Sequence, residues 1–243
     1  MIGRLLAAAL VSGVLSGVLI SVVHHFTTTP IILHAELYEG MGGDDHAALM
    51  WTDEVAGVQF YLADSNHEDA EESWGPEDGL ERTLFTSLAN ILTGVAFAAL
   101  LVAGFYLRGT PVDGRTGLAW GMAGFVVFAM APAMGLPPEL PGAMAADLQA
   151  SQFWWVFAAV STGAGLWLLL LSSHVALHVA GVILIALPHI VGAPQPDLGG
   201  PVPPELAAHF AAASLATALV FWALLGWLGG KSYNRNVGRP LET

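Results

Sequence analysis

Cysteine is absent from the 243 residues. Disulfides, thiolate metal sites and cysteine nucleophiles are therefore excluded, and the redox state of the compartment cannot be read from the composition. Charge is scarce too. Asp, Glu, Lys and Arg make up 11% of the chain, against about 25% in an ordinary soluble domain. Lysine occurs once and arginine six times. No phosphate-cradling glycine-rich loop occurs. No serine–histidine–acid set stands out, and no internal repeat supports an inverted-repeat transporter. A membrane enzyme with a metal centre would need a substrate pocket and an activated water, and no residues specify either. The chain is not expected to be an enzyme.

Apolar residues make up 55% of the chain. Six runs contain no Asp, Glu, Lys or Arg: 5–26, 84–107, 116–136, 153–172, 175–191 and 207–228. A run of about 20 apolar residues crosses the hydrocarbon core of a bilayer. The expected fold is all-α, a single polytopic transmembrane helical bundle of about six spans, with five also open. The first run begins just after Arg4. It is too long for a signal-peptide core and lacks a clear small-residue cleavage site, so it reads as an uncleaved anchor. The fourth and fifth runs are joined by Ser173 and His174 alone, and 175–191 is short. They form either a tight helical hairpin or a re-entrant pair.

Basic residues set the orientation, because they favour the cytoplasmic side. With the N-terminus inside, Arg4, Arg108, Arg115, Lys231, Arg235 and Arg239 lie inside and only Arg82 lies outside. Both termini are then cytoplasmic. Residues 27–83 form an acidic extracytoplasmic loop, and the Pro-rich loops 137–150 and 192–206 share its side. The net charge of −13 is concentrated in that acidic loop. Such a tract repels nucleic acid and attracts cations, although a merely solvated loop has the same composition. Small residues recur four apart at Ala9, Gly13 and Gly17, and at Gly117 and Gly121, with Gly163 and Gly165 in the fourth run. Spacing of this kind lets helix backbones approach closely and usually reports packing alone.

The candidate ligands sort by side once the orientation is set. His24 and His25 end the first run at its outer end. His34, His46 and His67 lie in the outer loop. His189 and His209 sit at the outer ends of the fifth and sixth runs, so seven of nine histidines are outer. His174 and His178 lie at the inner end of the fifth run, four apart and so on one helix face. Glu36, Glu39, Glu139, Asp147 and Glu205 join the outer group. If the last helix starts near Pro204, Glu205 and His209 share a face. Pro188, beside His189, should break its helix and free backbone oxygens. Imidazole with carboxylate suits Co, Ni, Zn or Mn. The bland alternative for each is an interfacial polar side chain at a helix end. With no thiolate, a Cu(I) site would fall to Met130 and Met134, which read better as packing residues. Imidazole binds metal in its neutral form, so binding should weaken as pH falls through about 6.5.

Motifs along nearly the whole chain resemble the CbtA family, the proposed cobalt transporter subunit. They begin with Pro30-Ile-Ile, Ala35-Glu36 and Tyr38-Glu39, then Trp74-Gly-Pro76-Glu-Asp78-Gly79-Leu-Glu81-Arg82-Thr83. They continue with Gly121-Met-Ala-Gly124-Phe125, Ala131-Pro132 and Leu136-Pro137-Pro138-Glu139-Leu140-Pro141-Gly142. Gln152-Phe-Trp154-Trp155, Leu187-Pro188-His189-Ile-Val-Gly192-Ala193-Pro194 and Pro203-Pro204-Glu205-Leu206 complete them. The resemblance implies a multi-pass cell-membrane subunit for cobalt uptake, tied to cobalamin synthesis, and a small single-span histidine-rich partner, CbtB. Family members often carry clustered histidines before the Trp-x-Pro-x-Asp-Gly motif. Here that stretch is Asn66-His67-Glu68-Asp69-Ala-Glu71-Glu72, which suits an oxygen-rich cation collector. The expectation is a transporter of Co²⁺, with Ni²⁺ or another divalent metal open, and no permanent cofactor. Glu36, Glu139, His189, Glu205 and His209 would form an outer vestibule, and His174 and His178 an inner exit. A non-transporting scaffold or metal sensor that assembles with the same partner is the alternative.

Overall fold

Apolar, charge-free runs become helices because a backbone in hydrocarbon must satisfy its own N–H and C=O groups. A computed structural model describes residues 1–38, 76, 79–196 and 200–237. Its helices are α1 (Ile2–Phe26), α2 (Thr28–Glu36), α3 (Leu80–Arg108), α4 (Gly114–Phe125), α5 (Ala131–Ala133), α6 (Leu148–Leu171), α7 (Val175–Val191) and α8 (Pro204–Asn236). Among the described residues there is no strand. Five segments are long and apolar enough to cross a bilayer: α1, α3, Gly114–Ala133, α6 and α8. The sixth apolar helix, α7, has 17 residues. That is about 25 Å from the helical rise, short of a hydrocarbon core of about 30 Å.

Three features depart from the sequence reading. The stretch after α1 is not all loop, because Thr28–Glu36 folds as α2. Its Ile31 and Ala35 are buried with Leu140 and Phe210, which gives this short helix a face to cover. The third span is not one regular helix. Val126–Met130 is a π-helical turn followed by α5. Pro132 has no N–H and its ring crowds the carbonyl four residues back, so the regular ladder cannot continue there. Finally, α7 runs on through Pro188 to Val191, ending where Gly192 adopts a φ of +87°. A proline in the last turn removes one intrahelical hydrogen bond, which leaves the helix intact for another three residues.

Two glycine seams hold the bundle. Gly13 and Gly17 of α1 lie against the backbone of Gly94, Val95 and Ile91 in α3. Gly117 and Gly121 of α4 lie against Gly226 and Gly230 of α8; a Cβ on Gly121 would come within 2.9 Å of the Gly226 Cα. Backbone contact of this closeness gains dispersion energy that larger residues would forfeit. α8 also packs on α1 and α3. Between them, Phe97, Phe128, Phe221 and Trp222 form an aromatic core in which Phe128 and Trp222 stack with centroids 5.5 Å apart. On the outside, rows of Leu, Val and Ile remain exposed on every long helix, the surface expected to face lipid.

The α6–α7 hairpin joins the rest differently. α7 packs along α6, where Gly165 and Gly181 meet, and α6 leans on the π-helical turn and α5. Gly163 of α6 is level with Val127. Eight residues further on, Leu171 borders the same cavity as Arg108 and Thr116. The hairpin therefore reaches the end of the bundle that holds the α3–α4 connection. α6 and α7 pack side by side as a helical hairpin.

Candidate functional site

The end of the bundle expected to face outward is organised by a small apolar cluster. Ile31 and Ala35 of α2, Leu140 of the loop after α5, and Phe210 of α8 are buried together, with Val202, Leu206 and Ala213 against them. Each brings an adjacent polar residue with it. Glu139 precedes Leu140, and Glu205 and His209 flank the Leu206–Phe210 face. Helix α8 begins at Pro204, so Glu205 and His209 sit one turn apart on one face, and both are exposed. Glu205 lies in the first turn, where a negative charge suits the helix dipole. Glu139 is exposed as well.

His189 sits on a neighbouring seat. Its ring stands edge-on to Trp154 with centroids 6.0 Å apart. The Trp154 indole Nε1–H donates to the Pro188 carbonyl at 3.3 Å, and the Gly192 N–H donates to the same oxygen at 3.0 Å. That carbonyl is thus engaged by two donors. Gly135 lies against Trp154 and Ala193. The loop from Gly135 to Leu140 therefore runs from the seat of His189 to that of Glu205 and His209, with Glu139 between.

Glu36 is engaged too. The Arg82 guanidinium donates to both of its carboxylate oxygens, with Nη1 at 3.0 Å from Oε2 and Nη2 paired to Oε1. This fork ties α2 to the start of α3. It also gives a structural role to Arg82, the exception in the charge count. His24 is half-buried at the end of α1; His25 is exposed with its ring edge on Phe26. His34 is exposed near Tyr38. Glu39, His46 and His67 lie outside the described residues, as does most of the acidic loop.

At the opposite end, His178 Nε2 lies 3.0 Å from the Ser172 carbonyl oxygen, and the His174 N–H donates to Ser172 Oγ at 3.1 Å. Ser172 ends α6, so its carbonyl lacks an intrahelical donor. His178 fills that role as the Nε2–H tautomer, and the pair shapes the hairpin turn. Among the described residues, no three His, Asp or Glu side chains stand close enough to hold one metal ion.

Several polar features carried no signal in the sequence. Asn90 Nδ2 donates to Ser21 Oγ at 3.1 Å between α3 and α1. Ser16 Oγ and Thr162 Oγ1 are buried without a hydrogen-bond partner. Arg82 was marked by its position on the wrong side of the charge rule and by its place in the Trp74–Thr83 motif, neither of which names Glu36 as its partner.

These features define a polytopic helical membrane protein with imidazole and carboxylate gathered at one end. The model of the CbtA family, described as a probable cobalt transporter subunit, matches residues 2–234. The chain belongs to that family, and as a transporter subunit it implies a partner. No curated protein and no solved structure matches the chain.

Proposed function

We propose that this chain is the multi-pass subunit that admits a divalent transition metal, Co²⁺, inward across the cell membrane. The observation that carries this reading is the match to a cobalt transporter family over residues 2–234, in a chain where Glu139, Glu205 and His209 are sequence neighbours of Leu140, Leu206 and Phe210 in one apolar cluster. The acidic loop, including Glu39, raises the local cation concentration. Glu139, Glu205 and His209 exchange some of the metal's water for carboxylate and imidazole, and His189 takes it next. His24 and His25 stand at the same mouth. Glu36 serves mainly to fix α2 through Arg82. His174 and His178 receive the metal inside, which requires His178 to release the Ser172 carbonyl. Ni²⁺ has the same ligand preferences and is the expected competitor. The partner is a small single-span histidine-rich subunit of the CbtB kind.

Cobalt uptake by cells expressing the chain with that partner tests the reading. Glu205→Ala and His209→Ala should each lower uptake at limiting cobalt while leaving the amount of protein in the membrane unchanged. Normal uptake by both would remove Glu205 and His209 from the mechanism.

One observation favours a second reading, in which the chain is a scaffold or metal sensor. The described residues bring no three metal-ligating side chains together, so a partner's histidines would have to complete any tight site. Proteoliposomes separate the two readings. Uptake by the chain alone supports a transporter, and metal binding by the chain with its partner but without uptake supports a scaffold or sensor.

A further inference from the structure

A cavity of about 440 Å³ lies between α6 and the α3–α4–α8 core. Its wall is apolar, with Phe97, Leu100, Val127, Leu166, Leu170 and Trp222 among its lining residues. It has no His, Asp or Glu among those residues, and Arg108 stands at one end with Thr116. A guanidinium at the mouth repels a divalent cation. The cavity is thus a poor fit for the metal.

The local sequence builds this space. Most glycines in the spans touch another backbone, but three serve the cavity instead. Gly104 and Gly124 allow the Trp120 and Trp222 rings to lie flat against the core as walls. Gly163 faces the opening, where an added Cβ would meet only Val127, at 3.7 Å. It could carry a side chain without strain, and its lack of one leaves the cavity open.

The mouth is basic. Arg108 is exposed, and its Nε–H donates to Thr110 Oγ1 at 3.2 Å. Arg115 follows on the first turn of α4. Asp113, the carboxylate nearest in sequence, is occupied in capping α4, where it accepts the Thr116 N–H at 2.8 Å. By the charge rule this end faces the cytoplasmic leaflet. Basic pockets between membrane helices on that side suit anionic lipid headgroups.

We propose that the cavity seats one acyl chain of an anionic phospholipid from the cytoplasmic leaflet, with its phosphate on Arg108. The volume suits a single chain. A transmembrane helix, roughly 10 Å across and about 30 Å long, needs several times as much and could only lie across the opening. The bound lipid fills the gap between the hairpin and the core, so the seating of α6 on that core would depend on leaflet composition.

Native mass spectrometry of the purified full chain, titrated with phosphatidylglycerol and with phosphatidylcholine of matched acyl chains, tests this. Phosphatidylglycerol should bind about fivefold more tightly, the worth of one arginine near an anionic lipid. Arg108→Gln alters an exposed residue, so folding is not at stake; it should abolish the preference and leave phosphatidylcholine binding unchanged. Gly163→Leu should weaken both lipids at unchanged helical content. Equal binding of the two lipids by the unaltered chain would overturn the proposal, as would a preference that survives Arg108→Gln. So would a photo-crosslinker at Leu170 that captures a polypeptide in native membranes, since the cavity would then belong to a partner helix.

Discussion

Gly121→Ala and Gly163→Ala make the same chemical change in two helices, and the structure separates them. At Gly121 the new methyl meets the Trp222 carbonyl oxygen and the Gly226 Cα, the latter at 2.9 Å. Both are backbone atoms, so α4 and α8 must move apart, and the seam that includes Gly117, Gly226 and Gly230 opens with them. Overpacking of this kind costs about 1–3 kcal/mol. At Gly163 the nearest atom is the Val127 Cγ1 at 3.7 Å, an ordinary contact. The helix-propensity gain of about 1 kcal/mol for alanine over glycine applies to both and cancels in the comparison. The expected difference is therefore about 2 kcal/mol, roughly thirtyfold in the folding equilibrium. Unfolding in mixed micelles, followed by circular dichroism, measures it. Equal stability of the two variants would refute the claim that the α4–α8 seam requires glycine.

Three further outcomes follow from particular contacts. Thr116 N–H and the Thr116 side chain hold the Asp113 carboxyl below its ordinary pKa, so the cap contributes fully above the ordinary carboxylate range. Its contribution is lost as pH falls through the lowered folded-state value, and a thermal-midpoint series against pH should flatten at its acid end in Asp113→Ala. Breaking the Glu36–Arg82 fork should cost about 1 kcal/mol, because both groups are partly exposed; a double-mutant cycle of Glu36→Gln and Arg82→Gln in thermal unfolding reads the coupling, and zero coupling would dismiss the clamp. His178→Ala leaves the Ser172 carbonyl without its donor and should cost about 1 kcal/mol; an unchanged thermal midpoint would show that the turn does not depend on it.

Much of the architecture was written in local composition. The six apolar runs could hardly fold otherwise in lipid, and Asp113, Asp147 and Pro204 mark helix starts by chemistry visible in the chain. Other elements depended on distant partners. Thr28–Glu36 reads as loop until Phe210 and Leu140 supply a surface for Ile31 and Ala35. Glu36 reads as a metal ligand until Arg82, 46 residues away, occupies both of its oxygens. Gly163 looks like Gly165, two residues along. Yet Gly165 meets the Gly181 backbone and Gly163 has only the Val127 side chain at ordinary contact distance, a difference set by which way each points. The candidate metal site was legible as a set of residues at one end, since a span fixes which side its ends occupy. Their mutual distances were not, because loops of Pro and Gly leave that geometry to tertiary packing.

The sequence by itself determined that this is a helical membrane protein, which family it resembles, and which end holds its imidazoles and carboxylates. The family resemblance rests on the order of motifs along the chain, and the other two properties follow from residue-by-residue solvation and charge, which act without any knowledge of neighbours. Tertiary structure alone decided that the carboxylate of Glu36 ties two helices together and that the Pro188 carbonyl is already engaged. It also decided that an apolar cavity with an arginine at its mouth separates the hairpin from the core. These are contacts between residues far apart in the chain, and they exist only because two glycine seams and an aromatic core set the distances between helices.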